Sequence, residues 1–479
     1  MTCKALVTHP GTNQVFGTRH TRGPRPADTT PSPPIRSRAN VAAPFPRDPG
    51  HRSPRQPSPH PPSSNNRLAK GAVAITCAVA CLLPATGAAA DWPQWRGPGE
   101  NGITVERLPD QPNFETILWR KKVGTGFSSV SVAADRVFTM GHRGPKGGGE
   151  ETVWCLNVAN GDEVWSHSYP APLIDRFYEG GPGATPTVRN GAVFTYSKHG
   201  RLHAYHAGTG KLLWQRDMLA EAGLSDPPEW GFACSPYFLD DRTLLIEAGA
   251  TFALDPTSGK VLWKSEPFTP AYGTPKAFTL DGRKLLAVMK TEGLVVLEAS
   301  TGRTVATANW KTSFDTTATT PIVHGNRIFI STGYDRGCAL FELADNQLRK
   351  LYENKSMCNH MNNSVLIDGH LYGFDGTAHR GRPTEFVCLE LATGREKWRV
   401  PPTGSLGCGS VLGTAANGLL ILTEKGELVA APASPSGFKP TARASVLGGR
   451  CWTVPVLAGA RIYCRNSRGD FVCVSTGPK

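Results

Sequence analysis

The chain has 479 residues, 39% of them apolar, which is enough to bury a large core and excludes a small disulfide-framed module or a fully disordered protein. Its formal charge is +13, but residues 1–90 carry eleven Lys/Arg and two Asp and so account for +9 of it. The basic balance is therefore a property of the N-terminal stretch, and it gives no support for nucleic-acid binding by the remainder.

In chain order, residues 1–66 hold 14 of the 40 prolines with many Arg and Ser and no apolar periodicity, a composition that predicts disorder. Residues 67–90 change character. Arg67 and Lys70 precede a charge-free apolar run from Gly71 to Leu83, and Thr86-Gly-Ala-Ala-Ala90 supplies small residues before Asp91. That order predicts a secretory signal peptide, so the body of the chain, 91–479, is expected to be exported to the periplasm or cell envelope without a stable membrane span. A signal normally starts a chain, which leaves 1–66 readable as a mis-assigned start. Cys81 follows Ala78-Val-Ala without the Leu usual at a lipoprotein site.

The body opens with Asp91-Trp-Pro-Gln-Trp-Arg-Gly-Pro98. Two Trp and two Pro at that point predict a segment pinned against the fold. A cassette then recurs: Cys155-Leu-Asn-Val-Ala-Asn-Gly161-Asp-Glu-Val-Trp165, Ala204 to Trp214 around Gly210, Ala253 to Trp263 around Gly259, and Cys388 to Trp398 around Gly394. A fifth copy around Gly302 has Ala306 where the Trp would stand. Alternating apolar runs on both sides of a turn glycine predict a β-hairpin, and a second hairpin precedes each copy. The unit is four antiparallel strands in about 45 residues, the pattern of a propeller blade.

Blade starts fall at Ser129, Thr185, Ser235, Thr274, Thr320, Ser364, Ser410 and Thr453, each a hydroxyl residue followed by an apolar strand. The predicted fold is all-β, an eight-bladed β-propeller. The eighth blade has three strands of its own, and Ile117-Leu-Trp119-Arg-Lys-Lys-Val123 matches the missing fourth, so the N-terminal strand is expected to close the ring by pairing with the last blade. Small hydroxyl residues suit the crowded axis, with ordered water as their expected partner.

The short, uniform hairpins lie on one face. The long excursions, 141–150, 166–184, 215–234 and 376–383, fall on the other, which makes that face the expected carrier of binding. Its candidate partner-binding residues are Arg143, Arg176, Tyr178, Trp230, Lys290, Arg336, His360, His379 and Arg380, with His142 and Arg450 beside them. The repeated Trp165, Trp214, Trp263 and Trp398 are expected to be structural. No CxxC, HExxH, EF-hand or haem-attachment pattern occurs, so neither a metal nor a cofactor is expected. Nine cysteines follow the signal, an odd number. Cys155, Cys388 and Cys473 read as small core residues, while Cys408 and Cys451 could pair in an exported protein.

The opening motif followed by these cassettes resembles the PQQ-like β-propeller repeat proteins exported by planctomycete-type bacteria. More distantly it is similar to the propeller lipoprotein of the outer-membrane β-barrel assembly machinery, and to quinoprotein alcohol dehydrogenases in fold. The resemblance implies that the repeated Trp residues lock neighbouring blades. It also implies two functions: a non-catalytic, monomeric scaffold binding a protein or an envelope polymer, or a dehydrogenase using PQQ with calcium. The adjacent Cys-Cys pair typical of the dehydrogenase pocket is absent, and no two cysteines are neighbours anywhere. The scaffold is accordingly the expected function.

Overall fold

Eight four-stranded antiparallel sheets are arranged as an eight-bladed β-propeller in a computed structural model that describes residues 91–378, 380–401 and 406–477. The leader 1–66, the signal segment 67–90 with Cys81, His379 and the Arg380 side chain lie outside the described residues. In seven blades the strands follow one another in sequence, covering 131–170, 187–217, 237–264, 276–309, 322–354, 365–399 and 410–445. The eighth joins three strands within 456–475 to Ile117–Lys122, which pairs antiparallel with Asp470–Ser475. Trp119 stands opposite Cys473, so the ring closes as the sequence predicts.

The cassette couples each blade to the next. Trp165 Nε1 donates to Ala207 O at 2.8 Å, Trp214 Nε1 to Pro256 O at 2.8 Å, and Trp119 Nε1 to Val158 O at 3.0 Å. Each acceptor lies in the turn between strands three and four of the following blade, where the ring also covers that blade's cassette glycine. A Cβ on Gly210 would lie 2.6 Å from the Trp165 ring, and one on Gly161 2.7 Å from Trp119. The glycine is therefore needed twice, for a φ near +70° and for the space its neighbour's indole fills. Trp263 covers Gly302 in the same way, and Trp398 donates to Ser434 O. Blade five uses Tyr352, whose hydroxyl donates to Leu391 O at 2.9 Å and whose ring covers Gly394. Ala306 in blade four now has a reason. Blade five turns at Asp345-Asn346 and offers no cassette glycine to cover.

The hydroxyl ring also connects blades through direct protein hydrogen bonds. Ser129 Oγ donates to Val454 O at 3.1 Å and Ser410 Oγ to Thr453 O at 3.0 Å, while Ser235 Oγ accepts from Thr185 N at 2.9 Å. These bonds satisfy buried groups that would otherwise require ordered water.

The opening motif reaches every blade. Trp92 bridges Val132, Pro93 O accepts from Val188 N, and Glu100 accepts from Tyr237 Oη and, at 2.7 Å, Lys276 Nζ. Trp95 Nε1 donates to Thr320 Oγ1, Arg96 Nη2 to Ser364 O, Thr104 N to Gly413 O, and Gly459 N to Glu106. The contacts at Val132, Val188, Gly413 and Gly459 lie beside the short hairpins between strands one and two, while those at Tyr237, Lys276, Thr320 and Ser364 lie at the starts of the first strands, so the segment caps that mouth of the axis and reaches inward from it.

Two departures from expectation have local causes. Gln215–Cys234 is not all loop, because Met218–Ala222 forms a short helix. Asp217 caps it by accepting from Leu219 N and Ala220 N, and Gly223 ends it at φ 70°. The 376–383 stretch is not a long loop, since Thr377 pairs with Arg380 and extends the hairpin. The proposed Cys408–Cys451 disulfide is absent. All nine described cysteines are free and buried, and burial pushes Cys451 up to about 12.

Candidate functional site on the long-loop face

The face opposite the capped mouth is built from the connections between blades and the hairpins joining strands two and three. Its most unusual residues are two exposed phenylalanines. Phe177 is 89% exposed at φ 60°, and Phe314 is 51% exposed, also at φ 60°. A bulky residue in the left-handed region is strained by about 1–3 kcal/mol, and exposing a phenyl ring adds an unfavourable hydration term. Both costs fall on the same two residues.

Around Phe177 the rings form a continuous arc. Phe177 lies 5.8 Å from Trp230, Trp230 6.1 Å from Tyr178, Tyr178 5.5 Å from Phe127, and Phe127 stacks on Trp452 at 5.5 Å. The four connections that carry them join blades eight to one, one to two, two to three and seven to eight. Ion pairs and hydrogen bonds hold the arc. Arg176 pairs with Glu229 at 2.6 Å, Arg450 pairs with Glu179 and lies over Trp452 at 4.4 Å, and Lys198 Nζ donates to Tyr178 Oη and to Trp230 O. Phe314, from the connection between blades four and five, begins a second group. It lies 5.0 Å from Tyr334, which meets His360 edge-on at 5.1 Å.

The sequence-derived candidates divide among these surroundings. Tyr178, Trp230, Arg176 and Arg450 belong to the arc, and His360 belongs to the second group. Arg336 lies 3.4 Å over Trp310 and pairs with Glu353 at 2.6 Å, and Arg143 lies 4.2 Å over Trp154. Lys290 requires correction. It is buried beneath the face rather than offered on it, with Nζ 2.5 Å from Glu247 and 2.6 Å from Gly249 O. The carboxylate that draws it inward lies 43 positions earlier, in the adjacent blade. His142 is also buried and bonds Ala171 O through Nε2 at 2.9 Å. Burial lowers His360 to about 4, so at neutral pH it contributes an uncharged ring, with Nδ1 accepting from Ala378 N. Phe127, Phe177, Phe314, Tyr334 and Trp452 were not among the candidates. Phe177 lies beside Tyr178 in the 166–184 excursion, so a search for aromatics there finds it; Phe127, Phe314, Tyr334 and Trp452 lie in connections outside the long excursions, where loop length gives no signal.

The polar groups below the face do not fit a calcium–quinone centre. Calcium takes six to eight oxygen ligands, with several carboxylates among them. The buried acids Glu151, Glu247 and Asp375 lie in three different blades. Glu247 is paired with Lys290, Asp375 with Arg382 and Arg399, and Glu151 accepts from Tyr169 Oη and Lys198 N. Among the described residues no three His, Cys, Asp or Glu side chains gather as a ligand set.

Comparisons with known proteins agree on the propeller fold. A family model described as outer membrane protein assembly factor BamB matches residues 149–400. The chain is 25% identical over 153 residues to outer membrane protein assembly factor BamB of Yersinia pestis, covering 32% of this chain and 37% of that one. It is 30% identical over 124 residues to the dehydrogenase subunit of a quinone alcohol dehydrogenase of Acetobacter aceti, covering 24% of this chain and 16% of that one. These matches thus span well under half the length of either relative. The solved quinohemoprotein alcohol dehydrogenase of Pseudomonas putida superposes with a TM-score of 0.55 over 81% of both chains at 12% identity, a likeness of fold alone. Among the described residues no helix is long and apolar enough to cross a membrane.

Proposed function

This chain belongs to the PQQ-like β-propeller family, and on that premise we propose that it is a non-catalytic, exported scaffold that docks a protein partner on its long-loop face. One observation carries the reading: Phe177 and Phe314 are each held exposed in left-handed backbone, the first at the end of an aromatic arc tied by ion pairs, the second at the start of a separate aromatic group on the same face. Strain and apolar exposure at the same residues are the marks of a surface kept for a partner. Trp230, Trp452, Tyr178, Arg176 and Arg450, residue types that dominate the energetics of protein interfaces, make up the rest of the arc together with Phe127. The Arg450–Glu179 pair and the Lys198 hydrogen bonds hold these rings in place before binding, so little ordering remains to oppose association. With the other mouth capped by the chain's own opening segment, the long-loop face is the open end of the axis. The reading takes the chain to act alone, without a cofactor, in the periplasm or cell envelope.

A second reading, a PQQ- and calcium-dependent alcohol dehydrogenase, draws support from the 30% identical match. Against it stand the separate, internally paired carboxylates and the missing adjacent cysteine pair. One set of measurements on the purified protein distinguishes the two. The scaffold reading expects PQQ with calcium to leave the melting temperature unchanged and to yield no dye-linked alcohol oxidation. It also expects envelope proteins captured by the wild type to be lost with Phe177→Ser. A melting temperature that climbs with PQQ concentration, accompanied by turnover, would establish the enzyme instead.

A further inference from the structure

Lys425, Arg468 and Arg143 are exposed at or beside the turns between strands two and three of blades seven, eight and one, on the long-loop face. Backbone hydrogen bonds set these turns side by side with the two connections that run between them. Cys451 N donates to Glu424 O at 2.8 Å, Ser467 N to Arg450 O at 2.8 Å, Gly126 N to Ser467 O at 3.0 Å, and His142 N to Thr125 O at 2.7 Å. Five segments thus form one continuous band, with one connection between each turn cation and the next. At the usual strand spacing their backbone positions stand about 10 Å apart along it.

The acids nearest this band already have partners. Glu424 accepts from Trp452 Nε1 at 3.0 Å and from Cys408 N at 3.1 Å, and Glu179 pairs with Arg450. Asp470 pairs with Lys122 and accepts from Asn466 Nδ2 at 2.7 Å. Among the described residues no carboxylate forms an ion pair with Lys425, Arg468 or Arg143, and that includes Glu150, which stands opposite Arg143 in the ladder. Arg143 is held over the Trp154 ring at 4.2 Å, and the Trp154 indole donates to Val123 O at 2.9 Å. A cation placed in this way loses little freedom on meeting an anion. The band also adjoins the aromatic arc, since Phe127 follows Gly126, Trp452 follows Cys451, and the two rings stack at 5.5 Å. An aromatic surface whose own charges are paired therefore continues into a strip with three uncompensated positive charges.

We infer that the protein segment docked on this face is acidic and extended, its carboxylates meeting Arg143, Arg468 and Lys425 while its apolar side chains meet the arc. The inference rests on the docking function proposed above and specifies its partner. Charge complementarity across an interface selects the partner and speeds encounter. A spacing of about 10 Å matches every third residue of a polyproline-type chain, which rises about 3.1 Å per residue.

The test uses two rhodamine-labelled peptides, repeats of Glu-Pro-Phe and of Gln-Pro-Phe, titrated with the purified protein by fluorescence anisotropy. The Glu peptide is expected to bind about tenfold more tightly than the Gln peptide at low salt, an advantage that shrinks as sodium chloride is added. Arg143→Gln, Lys425→Gln and Arg468→Gln combined are expected to erase that advantage. The same variant should bind the Gln peptide as the wild type does, which also shows that it folds. Phe177→Ser is expected to weaken both peptides alike. Equal affinity for the two peptides would overturn the acidic partner, and if Phe177→Ser still weakens both, the docking face itself stands. Binding of neither peptide would also overturn the inference, while capture of an envelope protein through Phe177 tests the docking function separately. Phosphatidylglycerol vesicles that bind through the same three cations when the Glu peptide does not would overturn it in favour of a lipid surface.

Discussion

Gly210 shows how one residue sets the spacing between blades. Gly210→Ala places a methyl 2.6 Å from the Trp165 ring at φ +69°, and is expected to cost about 2–4 kcal/mol from strain and overpacking together. Gly191→Ala separates the two causes, since its φ of +75° is similar but nothing lies within 4 Å, so only about 1–2 kcal/mol of backbone strain remains. Urea unfolding of the pair measures the difference. At Lys290, the Met variant leaves Glu247 buried without a counter-charge and is expected to lose about 3–5 kcal/mol. Adding Glu247→Leu should recover most of that loss in the same assay. His203 gives a pH dependence. It is enclosed by Tyr169, Tyr205 and His167, and burial lowers it from 6.5 to about 4. Between those values the unfolded chain binds a proton that the native protein does not, so stability is complete above pH 6.5 and falls as pH drops toward 4. The loss from His203 is at most about 3 kcal/mol, and His203→Phe should remove that share of the slope across this range, leaving the share of His360, which burial lowers to about 4 in the same way. What was legible at this scale followed the repeat. The cassette Trp and Gly were plain from their spacing, whereas the Lys290–Glu247 pair joins residues of adjacent blades that no local pattern connects.

Among the elements, the opening segment does what no single blade does, because it touches all eight. Its Trp92 is 3% exposed, packed in the core shared by blades seven, eight and one. Trp92→Ala is expected to lower stability by about 3–5 kcal/mol in thermal or urea unfolding, while leaving partner capture by the opposite face intact. The closing strand Ile117–Lys122 was legible because it carries the same Trp as other fourth strands. The short helix at Met218–Ala222 was not, since five residues cannot show a helical period, and it exists through its Asp217 and Gly223 caps. The hairpin through Thr377 and Arg380 does not show in the sequence, because its strands are rich in Gly, Pro and Arg. Its register comes from tertiary pairing rather than from an alternating pattern.

For the whole molecule, the architecture was legible because it is repeated eight times, and each copy reinforced the reading of the others. The proposed binding face is legible only by elimination, from which connections are long. The aromatic arc escaped notice because it assembles from four connections distant in sequence, and the strain at Phe177 and Phe314 exists only in the folded backbone. The proposed binding face lies at one end of the axis: one mouth is capped by the chain's own segment, and the other presents aromatic rings tied by ion pairs and hydrogen bonds. The most direct measurement of that claim is site-specific photocrosslinking in cells that naturally make the protein, with the probe at Phe177, at Phe314 and at Leu213 on the outer rim, itself 49% exposed. The account expects the same discrete protein adduct from the two face positions and none from Leu213. Adducts from Leu213 with none from Phe177 or Phe314 would contradict it and move the partner to the blade edges.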